Sequence, residues 1–319
     1  MITIPVTAQG TILFNEVADL SHSELITQVE WSPDGTKLAS MSWSEIRLWD
    51  TDNWELLLTI PDTFVYALTW HPNSQTIAGI QGGLNEKLII WDATTGEVVN
   101  EFLRERPENT QGILILHDLS WSSDGNYVVS DSGLSDDIAL VWDFTSEQIP
   151  HSFTSSATAE KSQHNITELA FSYSGQLIMA SSIKQEEPVI IIWDVQTREN
   201  IFEEEGFRPI EWGSDDMQVA GVGFEYSINI WNITTDRILF EFTNHTNVIS
   251  AIAWNHEYGV IVSADIDNNF YIWDTITGSI LYSDMAISSP QSLDWNSSDT
   301  QLAIATGQQI IIYEFELNE

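Results

Sequence analysis

The chain of 319 residues contains no cysteine, and its 10 Lys and Arg face 48 Asp and Glu, for a formal net charge of -38. Without cysteine there is no disulfide, no thiolate metal ligand and no cysteine nucleophile. The shortage of cations excludes a phosphate-binding stripe, and the field of the molecule repels nucleic acid and anionic lipid. Charged residues make up only 18% of the chain, so the imbalance is a lack of Lys and Arg more than an excess of acid. Two readings of that acidity stay open: an adaptation to solubility or salt, or attraction of a basic protein partner. No apolar run approaches the roughly 20 residues of a membrane span, and the first residues lack the basic start and apolar stretch of a signal peptide. A soluble, cytoplasmic, monomeric protein without membrane association is the expectation.

What is abundant is tryptophan, 14 in all, and it recurs in order. "IRLWDT" at Ile46 is followed by "LIIWDA" at Leu88, "ALVWDF" at Ala139, "IIIWDV" at Ile190, "INIWNI" at Ile228, "FYIWDT" at Phe270 and "IIIYEF" at Ile310. Each is preceded by a second aromatic in phrases such as "VEWSPDG" and "LTWHPNS", at Trp31, Trp70, Trp121, Phe171, Trp212, Trp254 and Trp295. The interval is about 40 to 50 residues, a repeat that cannot bury its apolar face alone. After each anchor a polar turn leads to an apolar strand such as "KLAS" or "VIVS", so each unit holds four short strands. The last unit ends without room for a fourth. "QGTILFNE" at Gln9 is similar to "TGSILYSD" at Thr277 and supplies it, pairing residues 10 to 16 with residues 309 to 315.

In these two motifs, over its whole length, the chain resembles the WD-repeat family of β-propellers. The resemblance implies an all-β fold: one domain over residues 1–319, a seven-bladed β-propeller of four-stranded antiparallel blades closed by the N-terminal strand. It implies a buried network of His245, Ser263, Asp267 and Trp273, complete in unit six. Unit one keeps His22 but has Trp43 at the position of the turn Asp, and unit three has Asp136 without the His. It further implies a non-catalytic scaffold that holds proteins or peptides on its top face and central funnel. The family's lining positions, four and six residues before each anchor and seven before the third-strand aromatic, select Phe64, Tyr66 and Leu84 in unit two, Ile115 and His117 in unit three, and Arg208 and Phe224 in unit five. Trp43 is expected beside Phe64 and Tyr66. Rings that plug the channel mouth by packing on one another are the alternative use of the same side chains.

Catalytic chemistry has little foothold. No His pair has the spacing of a helical zinc site, and no cofactor, metal or catalytic residue is assigned. "DIDNN" at Asp265 begins like a calcium loop but lacks the turning Gly and the terminal Glu, and "GVGFEY" at Gly221 fails as a dinucleotide fingerprint. An enzyme or small-ligand binder using the axial channel, or a propeller domain of a larger signalling protein, stays as an alternative. Insertions after units two and three, and longer spans within units two to four, decorate one sector that also collects Arg104, Arg106, Lys161, Lys184 and, at the entry to unit five, Arg208, near several glutamates. That is either local ion pairing or a window for a carboxylate-bearing segment.

Overall fold

The computed structural model describes residues 3–5, 11–61, 63–81, 86–104, 117–131, 138–144, 148–154, 166–184, 187–284 and 289–318. The fold is an all-β, seven-bladed propeller of antiparallel sheets in chain order. Sheet one is Ile26–Trp31, Lys37–Ser42, Glu45–Asp50 and Leu56–Pro61. Sheet two is Ala67–Trp70, Thr76–Gln81, Glu86–Asp92 and Val98–Arg104, and sheet three is Leu119–Trp121, Tyr127–Asp131, Ile138–Asp143 and Gln148–Thr154. Sheet four is Ile166–Phe171, Leu177–Lys184, Glu187–Asp194 and Asn200–Glu205, and sheet five is Phe207–Trp212, Gln218–Val222, Ile228–Asn232 and Arg237–Phe242. Sheet six is Ile249–Asn255, Val260–Asp265, Phe270–Asp274 and Ile280–Asp284. Sheet seven begins with Ser292–Trp295, Gln301–Thr306 and Gln309–Asn318.

The Trp-Asp pair does two jobs. The indole, on the third strand, donates to a serine of the second: Trp49 Nε1 to Ser40 Oγ at 2.8 Å, Trp142 to Ser130 at 3.0 Å, Trp273 to Ser263 at 3.1 Å. The aspartate folds the turn that follows by accepting backbone N–H groups two and three residues on, as Asp92 does from Thr94 and Thr95, each at 2.8 Å. Asn232 accepts from Thr235 N at 2.9 Å, so an amide oxygen replaces a carboxylate in the same turn. Glu314 departs for a different reason. Its strand runs straight on to Asn318 and makes no turn, because the fourth strand of sheet seven comes from the start of the chain.

That fourth strand is Thr11–Ser21, antiparallel to Gln309–Asn318 with Phe14 opposite Phe315 and Ser21 opposite Gln309. The closing pair is longer than the sequence suggests, because a register shift between Glu16 and Ala18 lets the strand continue to Ser21. Phe14 is buried, stacked on Tyr313 at 4.1 Å, and belongs to the core of sheets six and seven. A short additional strand, Thr3–Pro5, lies on the outer edge of Thr11–Leu13 and makes this sheet five-stranded.

Two compact units carry the sheets. One is Met1–Pro61, Phe224–Trp231 and Ile238–Glu319, with sheets one, six and seven; the other is Asp62–Gly223 and Asn232–Arg237, with sheets two, three and four. Within each, second strands are buried at consecutive positions, as in Val260–Asp265, because neighbouring sheets cover both faces.

Candidate functional site

The first strand of a sheet is irregular at one place. In sheets one, four and six the register shifts just before the third residue ahead of the anchor, at Ile26/Gln28, Ile166/Glu168 and Ile249/Ala251, and in sheet five it shifts between Phe207 and Ile210. A bulge resets the alternation of side chains. Residues four and six before the anchor therefore stand at the connection end of the sheet, while those one and three before it aim at the next sheet.

In the unit holding sheets one, six and seven, the connections carry large exposed apolar side chains. Trp43 is 57% exposed and Phe224 53%, and Leu25, Tyr226, Val248 and Ile266 are exposed as well. The backbone beneath them is fixed. Ile266 N donates to Val248 O at 3.0 Å, Glu24 accepts from Ser44 Oγ at 2.9 Å between Leu25 and Trp43, and Ser227 N donates to Phe224 O at 3.1 Å. Glu225 and Tyr226 both have left-handed backbone, at φ 54° and 62°, a conformation costly for side chains of this size. Glu24, half-buried, and Glu225 and Asp267, exposed, stand next in sequence to Leu25, to Phe224 and Tyr226, and to Ile266.

The unit holding sheets two to four presents a different surface. Phe64 is exposed at φ 46°, another left-handed aromatic, whereas Tyr66 is half-buried against the core of sheets two and three. Packing thus absorbs part of one candidate. His117 is exposed but held by Asp131, through its backbone N–H at 2.9 Å and Nδ1 at 3.1 Å, and Arg208 is exposed at the register shift of sheet five. Leu84 and Ile115 lie outside the described residues, as do Arg106, Lys161 and Asp136. Lys184 is ion-paired with Glu203 on the fourth strand of its own sheet, so local pairing accounts for it. The sequence offsets that choose Phe64 and Phe224 also choose Leu25, Val248 and Ile266, which an emphasis on aromatic and basic residues passes over.

The buried network of sheet six forms, with one correction. Trp273 Nε1 donates to Ser263 Oγ, Ser263 donates to His245 Nε2 at 2.7 Å, and His245 Nδ1 donates to Asp265 Oδ2 at 3.0 Å. The carboxylate is Asp265, not Asp267. Asp265 ends the second strand opposite Ile249 and faces inward, while Asp267 sits exposed at the turn and donates its backbone N–H to Asp265 Oδ1 at 3.0 Å. Burial holds the His245 imidazole below its usual range against the pull of Asp265. In sheet one, His22 Nε2 meets Ser40 Oγ at 2.6 Å, but Nδ1 stands 3.5 Å from Glu45 Oε1, which Arg47 already engages at 2.7 Å. Burial and the Arg47 charge push His22 down to about 4, so it is a neutral core histidine at physiological pH.

Side chains one and three before the anchor tie first strands together, a pattern the sequence reading missed. Asp118 Oδ2 accepts from Leu169 N at 3.0 Å and Ser120 Oγ from Phe171 N at 3.2 Å, joining sheets three and four. Glu168 Oε1 accepts from Ile210 N at 3.2 Å, joining four and five. In the other unit Ser292 Oγ accepts from Val29 N at 3.2 Å and Asp294 Oδ2 from Trp31 N at 2.6 Å, joining seven and one. Desolvation raises Asp118 to about 7, Glu168 to about 8 and Asp294 to about 7, despite these backbone bonds.

Among the described residues no group of three or more His, Asp or Glu side chains could hold a metal ion, and no helix is long and apolar enough to cross a membrane. The calcium-like "DIDNN" is a turn whose Asp265 oxygens are taken up by His245, Asp267 N and Asn269.

The family model described as "WD domain, G-beta repeat" matches residues 14–50, 102–143 and 236–274. Human "Pre-mRNA-processing factor 17" is 22% identical over 269 residues, 80% of this chain and 43% of that protein. "APC/C activator protein CDC20" of Saccharomyces cerevisiae is 23% identical over 304 residues, 89% of this chain and 45% of that protein. "WD repeat-containing protein WDS homolog" of Arabidopsis thaliana is 23% identical over 267 residues, 79% of this chain and 47% of that protein. The chain thus spans less than half the length of these relatives.

Proposed function

The chain is a WD-repeat β-propeller, and from that premise we propose that it is a non-catalytic scaffold whose sheet connections hold a segment of another protein. The observation that carries this is the set of exposed apolar side chains, Leu25, Trp43, Phe224, Val248 and Ile266, on connections whose backbone is hydrogen-bonded in place. Large rings on a rigid base are what binding hot spots are made of, since little order is lost when a partner covers them. The names of two relatives speak of pre-mRNA processing and of activating a complex, which agrees with a scaffold.

The partner segment combines apolar side chains with Lys or Arg. Support comes from Glu24, Glu225 and Asp267 among the apolar group and from the net charge of -38. An array of short peptides mixing Leu or Phe with Lys or Arg, probed with labelled protein, tests it. Trp43→Ser with Phe224→Ser should weaken capture on the order of 30-fold or more, about 2 kcal/mol, without changing the circular dichroism spectrum. Equal capture by the folded double variant would rule the connections out. Raising salt from 50 to 500 mM should weaken wild-type capture about tenfold as the field is screened, and an affinity flat in salt would leave the acidity to solubility alone.

A further inference from the structure

Two of the seven sheets have a histidine nine residues before the anchor, His22 in sheet one and His245 in sheet six, and the same two have a long hydrogen-bond donor two residues before the third-strand aromatic. The donor is Arg47 in sheet one and Tyr271 in sheet six. Elsewhere that position is Ile89, Leu140, Ile191 and Ile311, or the short amide of Asn229 in sheet five. Both long donors reach the same place. Arg47 Nη1 donates to the backbone oxygen of Ser21 at 2.8 Å, and Tyr271 Oη to that of Asn244 at 3.4 Å, in each case the residue just before the histidine.

Each histidine turns inward, with Nε2 on Ser40 Oγ at 2.6 Å or on Ser263 Oγ at 2.7 Å, and so holds the chain from within its sheet. Three residues after each stands an exposed apolar side chain, Leu25 or Val248. In sheet one Arg47 Nη2 also pairs with Glu45 Oε1 at 2.7 Å, at the end of the short turn that carries Trp43. One guanidinium therefore bridges the connection of Leu25 and that of Trp43, and Ser44 Oγ donating to Glu24 at 2.9 Å is a second bridge. Glu45 balances the charge of Arg47, so this cation does not repel a basic partner segment. In sheet six Asn269 Nδ2 donates to Thr246 Oγ1 at 3.2 Å, which ties the connection of Val248 to the turn of Ile266.

On the reading that the connections hold a partner, we infer that Arg47 and Tyr271 are positioning residues for the contact group. Each grips the chain ahead of a network histidine and holds the connection beyond it in the form that presents Leu25 or Val248. They act through those connections, by lowering the order that must be gained when a partner binds.

The test combines hydrogen exchange of the free protein with peptide capture, in Arg47→Met and Tyr271→Phe. Methionine keeps an apolar stem and removes every donor, and phenylalanine removes one hydroxyl. Exchange at residues 23–25 and 43–44 should quicken about tenfold in Arg47→Met, and at residues 246–248 about threefold in Tyr271→Phe, with residues 38–40 and 261–263 of the second strands unchanged. Capture of the tightest labelled peptide from the array of Leu, Phe, Lys and Arg should weaken about fivefold in Arg47→Met and about twofold in Tyr271→Phe. Arg47→Lys, which retains a donor for Ser21 O, should recover most of the affinity.

An unchanged exchange pattern, or an equal rise over whole sheets, would overturn the positioning role. So would a local rise with capture intact, while Trp43→Ser weakens capture. If Trp43→Ser leaves capture intact as well, the reading of the connections is what fails, and the grips are decided by exchange alone. Should Arg47→Met fail to fold, Tyr271→Phe, which keeps its ring, decides the matter by the same two measurements.

Discussion

Removing residues 1 to 16 should lower the melting temperature by about 10 °C or more. The deletion takes away the half of Thr11–Ser21 that pairs with Tyr313–Asn318, leaving that part of the third strand of sheet seven as an unpaired edge. It also removes Phe14, 2% exposed and stacked on Tyr313, from a core shared with Phe270 and Tyr282. Losing a buried Phe costs about 3 to 5 kcal/mol, and each ladder hydrogen bond about 1 more. A second truncation separates closure from mere length. Deleting residues 1 to 5 removes only the short strand paired with Thr11–Leu13 and should shift the midpoint by less than about 2 °C. Differential scanning calorimetry of the two truncations checks this, and equal midpoints for wild type and the longer deletion would refute closure by the N-terminal strand.

Asp265→Ala should destabilise by about 3 kcal/mol or more, and Asp267→Ala by less than about 0.5 kcal/mol. Asp265 is fully buried and accepts from His245 Nδ1, Asp267 N, Asn269 N and Asn269 Nδ2, the last at 2.8 Å. Removing it leaves buried donors without acceptors, each costing about 1 to 3 kcal/mol, and cuts the chain that runs through Ser263 to Trp273. Burial works against the Asp265 carboxylate, but the bonds from Asn269 and His245 prevail and hold it below the usual range. Its stabilisation is therefore complete above about pH 4 and is lost as acid protonates it. Asp267 offers the network only a backbone N–H, which alanine retains. Urea titrations at pH 7 measure both, and equal losses would restore Asp267 to the network.

The difference between those two aspartates shows where sequence reading stops. Both stand in "DIDNN", two residues apart, and a repeat pattern locates the turn without saying which carboxyl turns inward. The left-handed backbone of Asn268, at φ 68°, and the pairing of Asp265 with Ile249 settle that, and neither is visible in residue types. The seven sheets were legible because two aromatics and a turn residue recur together, and because an edge without a partner demands the N-terminal strand. Even the departures had reasons: Asn232 still makes the turn, and Glu314 has none to make. The carboxyls that bridge neighbouring first strands were not legible. Asp118 and Glu168 read as polar positions of an alternating strand until the register shift in sheet four shows that Glu168 aims at sheet five. Of the residues that the offsets select, Phe64 and Phe224 are exposed, while Tyr66 is drawn into the core by neighbours that sequence spacing does not specify.

The claim that matters most is that sheet connections, and not sheet edges, hold the partner. Amide hydrogen exchange, with and without a saturating peptide chosen from the array, tests it most directly. The account predicts slowed exchange at residues 24–25, 43–44, 224–227, 246–249 and 266–269, with fourth strands such as Arg237–Phe242 and Ile280–Asp284 unchanged. Protection confined to those fourth strands, with the connections exchanging as in the free protein, would contradict it.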